Sequence, residues 1–167
     1  MTETRSLFEL SERHNHLYLQ PLKDSQIVSI AVLLPSGTAA WTVNPDGMST
    51  KVYRDNVSHE LGHAETGSFY TRLSAPTSRE KCEETARRWQ YENMIRYDEL
   101  MDAFARGITT TWELSELFEM PEDFVRRAVE YYKMKEDTER SGGFINDTCK
   151  NDEDSVRERP GQEEADD

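Results

Sequence analysis

The sequence predicts an α+β protein, mostly helical and built as a single domain. A short β-hairpin or small antiparallel sheet packs beside a long helix, and a helix-turn-helix-like helical bundle follows towards the C-terminus. Three observations carry this prediction. Gln26 to Leu34 is an apolar, β-branched run that turns at Pro35-Ser36-Gly37-Thr38 and returns as Ala39 to Val43. From Lys51 onward, stretches poor in Pro and Gly place apolar residues at helical spacing. After Thr110, two short helical patterns are separated only by Glu119-Met120. At 167 residues with 35% hydrophobic content, the chain supplies one modest core.

Each element has its own signal. Phe8, Leu17 and Leu19 predict a helix and then a short strand, and His14 and His16, two apart, read as exposed. In the hairpin, Trp41 and Val43 share a face, and the second strand is the better candidate for a free edge. Asn44-Pro45-Asp46-Gly47 is a turn, and Ser49 or Thr50 caps the helix that starts at Lys51. Ser74 to Ser78 form a loop before a helix from Arg79 to Trp89. Asp98 to Arg106 is helical with Gly107 as its stop, and Thr110-x-x-Glu113 is a capping box opening a helix to Phe118. Pro121 begins the last helix, with Phe124, Val125, Ala128, Val129 and Tyr132 inward. The resulting division is an N-terminal segment (1–25), a core of hairpin and two helices (26–97), a helical subdomain (98–135) and an acidic tail (136–167).

Charge and composition exclude several classes. Residues 136 to 167 hold 12 acidic and 4 basic side chains, which is −8 of the chain's −13. That segment is poor in apolar residues and is expected to stay disordered as a solvated tail. No apolar run approaches the roughly 20 residues of a membrane helix, and Met1 to Arg5 lacks a signal-peptide pattern, so no membrane partner and a cytoplasmic location are expected. Cys82 and Cys149 are too few for a disulfide framework, and Cys82 reads as a small buried residue. Residues 109 to 135 hold 6 acidic and 4 basic side chains, a balance that opposes a phosphate backbone. No direct nucleic-acid contact is expected, and the bundle reads as core or as a platform that docks a protein.

His59-Glu60-Leu61-Gly62-His63 is the one segment where residue identity and spacing together specify a chemistry. On a helix, positions i and i+4 share a face, so both imidazoles reach one metal ion with Glu60 beside it. In a chain with 4 histidines, chance produces H-E-x-x-H at about one per cent, so context must support it. Val52, Asn56, His59 and His63 form one stripe of the predicted helix. Gly62, which costs a helix about 1 kcal/mol relative to Ala, points to the close approach of another backbone. Two imidazoles, a third protein ligand and an open position for water make the arrangement of a zinc hydrolase. The third ligand is expected from the next helix, where Glu80, Glu83 and Glu84 are candidates. Ala86 and Trp89 give Glu83 a largely apolar face, whereas Glu80 and Glu84 read as first-turn or solvent charges. Spacing alone leaves that choice open.

The stretch Val57-Ser58-His59-Glu60-Leu61-Gly62-His63-Ala64-Glu65-Thr66-Gly67-Ser68-Phe69-Tyr70 resembles the ImmA/IrrE family of metallopeptidases, of the HEXXH, gluzincin-like kind. The likeness continues through Cys82 to Trp89 and Trp112 to Phe118, covering roughly residues 26 to 134, and is to the small forms found near bacterial mobile elements. It implies that His59, His63 and Glu83 bind zinc and that Glu60 is the general base on metal-bound water. It further implies a zinc-dependent endopeptidase of restricted specificity whose substrate is a transcriptional repressor, usually of helix-turn-helix type. The same ligands accept manganese or another divalent ion. One position departs from the family pattern: where Asp or Asn often follows the alanine of the third-ligand helix, this chain has Arg87. A cation there opposes a dication unless it points away. The alternative reading is therefore a non-catalytic, metal-stabilised protein-interaction module with a degenerate site. For oxyanion stabilisation, Tyr53, Tyr70, His14 and His16 are candidates, and nothing in the sequence separates them.

Overall fold

The computed structural model describes residues 16–20 and 27–142. The expected helix around Phe8, together with His14, Cys149 and the acidic segment past residue 142, lies outside the described residues. Three strands, Leu17–Tyr18 (β1), Ser29–Leu33 (β2) and Ala39–Val43 (β3), form a sheet of order β1-β3-β2. β2 and β3 are the expected antiparallel hairpin, with Ala31 opposite Trp41 and Val32 opposite Ala40, and Gly37 takes the left-handed conformation (φ 81°) in its turn.

The sheet is mixed rather than antiparallel. Leu17 and Tyr18 pair in parallel with Ala40 and Trp41, and the Leu19 amide donates to the Trp41 carbonyl at 2.9 Å. This addition overturns one expectation. β3, the proposed free edge, is the central strand, because two N-terminal residues occupy its second row of backbone groups. Among the described residues, the unpaired edge beside the hairpin belongs to β2. Its central position explains why β3 is buried on both faces, with Ala40, Trp41 and Val43 at 0% exposure.

Five helices follow among the described residues: Thr50–Thr66 (α1), Pro76–Met94 (α2), Tyr97–Ala105 (α3), Thr111–Phe118 (α4) and Glu122–Arg140 (α5). Ser49 is the N-cap of α1, its side chain accepting from the Val52 amide, and Gly67 ends the helix in the left-handed region (φ 65°). α2 starts three residues before the expected Arg79, because Pro76 fits the first turn, where its missing N–H costs nothing. The capping box of α4 is complete: Thr110 accepts from the Glu113 amide and Glu113 from the Thr110 amide. α5 runs on to Arg140, past the boundary expected at residue 135. Tyr97 donates to Glu136 and so holds this last stretch to α3.

The interior has two lobes. Trp41 and Val43 of the sheet meet Val57 and Leu61 of α1, and a larger lobe joins Tyr91, Met94 and Ile95 to Leu100, Phe118, Phe124 and Ala128. Trp89 of α2 packs against both. On α5 the inward residues are Phe124, Val125, Ala128, Tyr131 and Tyr132; Val129 is only partly buried. No helix among the described residues is long and apolar enough to cross a membrane.

Candidate metal centre

The site is a product of how α1 meets α2. The two helices are antiparallel: Asp55 and Ser58 of α1 face Gln90, Gly62 faces Ala86, and His63 faces Glu83. At their crossing, a Cβ on Gly62 would lie 2.6 Å from the Ala86 carbonyl oxygen. That is the close backbone approach the helical glycine predicted, and it brings Glu83 within reach of both histidines. The crossing is pinned on one side by Gln90, 3% exposed, whose Nε2 donates to Asp55 O, Asp55 Oδ1 and Ser58 Oγ, each at 2.8 Å. Sequence reading missed Gln90. Its signal was its place one turn and then another beyond Glu83 on the same stripe, where an amide is the least charged of the polar side chains.

His59 Nε2 lies 3.3 Å from Glu83 Oε2, and His63 Nε2 lies 3.4 Å from Glu83 Oε1. The three ligand atoms fall within 4.8 Å of one another. Each short distance uses a different Glu83 oxygen, so the carboxylate sits between the two imidazoles, and the three groups are gathered closely enough for one ion to be taken up among them. The donor chemistry agrees: two imidazole nitrogens and one carboxylate are the protein share of a catalytic zinc site. Glu80 and Glu84 do not join the cluster. Glu84 instead accepts from Arg88 at 2.7 Å on the exposed side of α2.

The tautomer of His63 is set from behind. Its Nδ1 is 2.8 Å from the Ser68 carbonyl, an acceptor only, so Nδ1 carries a proton and Nε2 is the nitrogen turned to the site, donating to Glu83 when protonated and offering its lone pair to a metal when neutral. Ser68 is fully buried just past the left-handed Gly67, and the Ser68 amide donates back to the His63 carbonyl at 3.2 Å. No sequence signal marks this partner, because a backbone carbonyl does the work. The loop to α2 then carries Tyr70, whose hydroxyl donates to Glu83 Oε1 at 2.7 Å. Arg79 stitches the loop by donating to the Ser74 and Arg72 carbonyls.

The charges follow this geometry. Hydrogen bonds from His59 and then His63 hold the Glu83 carboxyl far below the usual range against the opposing effect of burial. Burial works against a charged His63, yet the bonds to Glu83 and to the Ser68 carbonyl outweigh it and raise its pKa. The hydrogen bond to Glu83, with burial added, pushes Tyr70 up to about 12. Glu60, 5% exposed, has its pKa raised by burial, and the Ser29 hydroxyl and the two histidines only partly offset that. Its side chain thus faces β2 rather than open solvent.

Of the oxyanion candidates, Tyr70 is at the site. Tyr53 packs against the Trp41 lobe, and His16 lies by Glu65 at 3.6 Å in a separate hollow. Cys82 is 2% exposed, with its sulfur 3.7 Å from the Phe69 carbonyl, which matches the expected burial. Arg87 does not point away: its guanidinium lies 3.6 Å from Glu83 Oε2 with the side chain 56% exposed.

Neither a curated protein nor a solved structure matches the chain. A family model, the IrrE N-terminal-like domain of the M78 peptidases, matches residues 42–130. That span begins in β3, contains the whole histidine and glutamate cluster and ends within α5. The chain belongs to the IrrE N-terminal-like peptidase family.

Proposed function

We propose that this protein is a zinc-dependent endopeptidase of restricted specificity that cuts a protein substrate, a transcriptional repressor of helix-turn-helix type. The observation that carries the reading is the convergence of His59, His63 and Glu83 with buried Glu60 directly beside them. His59, His63 and Glu83 would hold the ion, and zinc suits their mixed nitrogen and oxygen set best, although manganese or another divalent ion has the same ligands open to it. A zinc ion so held lowers the pKa of water to about 7 and polarises an adjacent carbonyl. Glu60 accepts the proton of the attacking water on its carboxylate and delivers it to the leaving amine. Its burial favours this role, since a carboxylate whose pKa is raised is a stronger base at neutral pH.

The sheet supports a peptide substrate. β2 ends the sheet among the described residues, and the side chain of its first residue, Ser29, favours the charged form of Glu60. An extended peptide adding to the outer edge of β2 would pass the base with its backbone paired. A protein partner rather than DNA is favoured by the bundle, where Arg126 is engaged by Asp123 and Glu130, and Lys135 by Glu92. The repressor itself is what the family resemblance implies.

One observation favours a second reading, that of a non-catalytic, metal-stabilised interaction module: Arg87 is turned towards the ligand carboxylate. Elemental analysis and a digest separate the two. The peptidase is expected to hold close to one zinc per chain and to cut a candidate repressor, and Glu60→Gln is expected to keep the metal while losing about 10²- to 10⁴-fold in kcat. Cleavage by Glu60→Gln at the parental rate sinks the mechanism. Absence of bound metal sinks both readings.

A further inference from the structure

A cavity of about 160 Å³ opens beside His59, with Asn56 of α1, Arg87 and Tyr91 of α2 and Arg127 of α5 in its wall. It shares Arg87, Tyr91 and Arg127 with a larger hollow of about 610 Å³ that also reaches Glu83. We propose that Arg87 and Arg127 form a carboxylate-binding subsite beside the metal centre, selecting substrates with an acidic group next to the bond to be cut. The proposal rests on the peptidase reading for the identity of that bond and on the cavity alone for the carboxylate.

The argument is one of charges and their partners. Next to Arg87, Arg88 is paired with Glu84 at 2.7 Å; next to Arg127, Arg126 is paired with Asp123 at 2.9 Å. The two arginines that face the cavity are treated differently. Arg127 makes no ion pair among the described residues, and the only ion pair of Arg87 there is the long one to Glu83. The acid in the wall of the small cavity, Asp55, is already held by Gln90 Nε2 at 2.8 Å. Once Glu83 commits its charge to a metal, its hold on Arg87 weakens. Two arginines then line one small cavity beside the cluster, while Glu80, Glu84 and Glu130 stand in the wall of the larger hollow and not in that of the small one. Tyr91, 8% exposed, completes the wall between the two arginines. A planar fork with two parallel N–H donors fits a carboxylate. The rest of the molecule does not attract acids: the chain carries −13, so a preference for an acidic ligand requires a local site.

The carboxylate has two sources, an Asp or Glu side chain or the free end of a chain. Both are tested by titrating zinc-loaded full-length Glu60→Gln protein with dye-labelled, N-acetylated octapeptide pools that have Glu or Gln fixed at the centre and a C-terminal amide, and a Gln pool with a free C-terminal carboxylate. Fluorescence anisotropy is expected to show the Glu pool binding about tenfold or more tightly than its Gln twin. Arg127→Ala should reduce that ratio to near one, and Arg127→Glu should turn it in favour of a Lys-centred pool, with zinc content unchanged. Tight binding of the free-acid Gln pool instead names the chain terminus as the source. Equal binding of all three pools, or a preference that survives both Arg127→Ala and Arg87→Ala, overturns the proposal. Digestion of the same pools by the parent protein tests the peptidase reading separately: absence of cleavage with the binding preference intact removes that reading and leaves the subsite.

Discussion

His63 is held by a group that no side-chain substitution at position 68 can remove. Its Nδ1 lies 2.8 Å from the Ser68 carbonyl and 3.1 Å from the Ser68 hydroxyl, and that hydroxyl also lies 2.7 Å from the Thr66 hydroxyl, whose proton is taken by the Gly62 carbonyl. The carbonyl can only accept, so it alone fixes which nitrogen carries the proton. Loss of the outer partner of a metal-bound histidine typically costs 10- to 100-fold in affinity. Ser68→Ala is therefore expected to lower zinc affinity by less than about tenfold, read by competition with a chelator of known strength. A hundredfold loss would move the tautomer lock from the backbone to the hydroxyl. The same residue explains a limit of sequence reading. His59, Glu60 and His63 were legible because their side chains do the chemistry, whereas the support behind His63 comes from a backbone atom that any residue supplies.

Among the elements, the contact of α1 with α2 decides whether Glu83 reaches its histidines. Ala at position 62 would gain about 1 kcal/mol in helix propensity. Its Cβ would meet Ala86 O at 2.6 Å, and backbone cannot rotate out of the way as a flexible side chain can. Overpacking of this kind costs about 1–3 kcal/mol, so the steric term wins. Gly62→Ala is expected to lower Tm and, because the helices part at the crossing, to weaken zinc binding more than stability alone accounts for. A variant with parental Tm and zinc affinity would show that the helices slide apart without penalty. The helical glycine announced this contact from the sequence, and Ser49, Thr110, Glu113 and Pro76 announced the helix starts through local chemistry. The central position of β3 was not legible. The short strand at Leu17 was expected, but its two residues carry no signal of the strand they pair with, and that pairing removes the free edge of β3. Helix α5 outran its expected end for a similar reason, since Tyr97 holds Glu136 from far away in the chain.

At the scale of the whole molecule, metal and proton compete for one cluster, and the two forms of the protein should respond to pH in opposite directions. Without metal, Glu83 is paired with the histidines. The raised pKa of His63 contributes stability that is full below its unfolded value, about 6.5, and is lost as pH rises through the folded value. The lowered pKa of Glu83 contributes stability that is present above its unfolded value, about 4.3, and is lost as pH falls towards the folded value. Both contributions are in place between about pH 4.3 and 6.5. Metal binding needs neutral imidazoles, so its contribution grows across the range where the His63 contribution fades. Zinc at a hundred times its Kd adds about 2.7 kcal/mol, or about 5–10 °C in Tm for a chain of this size. Calorimetry from pH 6 to pH 8 is expected to show Tm falling in chelator while the gain on adding zinc increases. Glu83→Gln, which leaves the histidines without their carboxylate partner, should flatten the first trend and shrink the second. A zinc-induced gain of the same size at pH 6 and pH 8 would mean that the imidazoles are not the groups the metal takes from the proton.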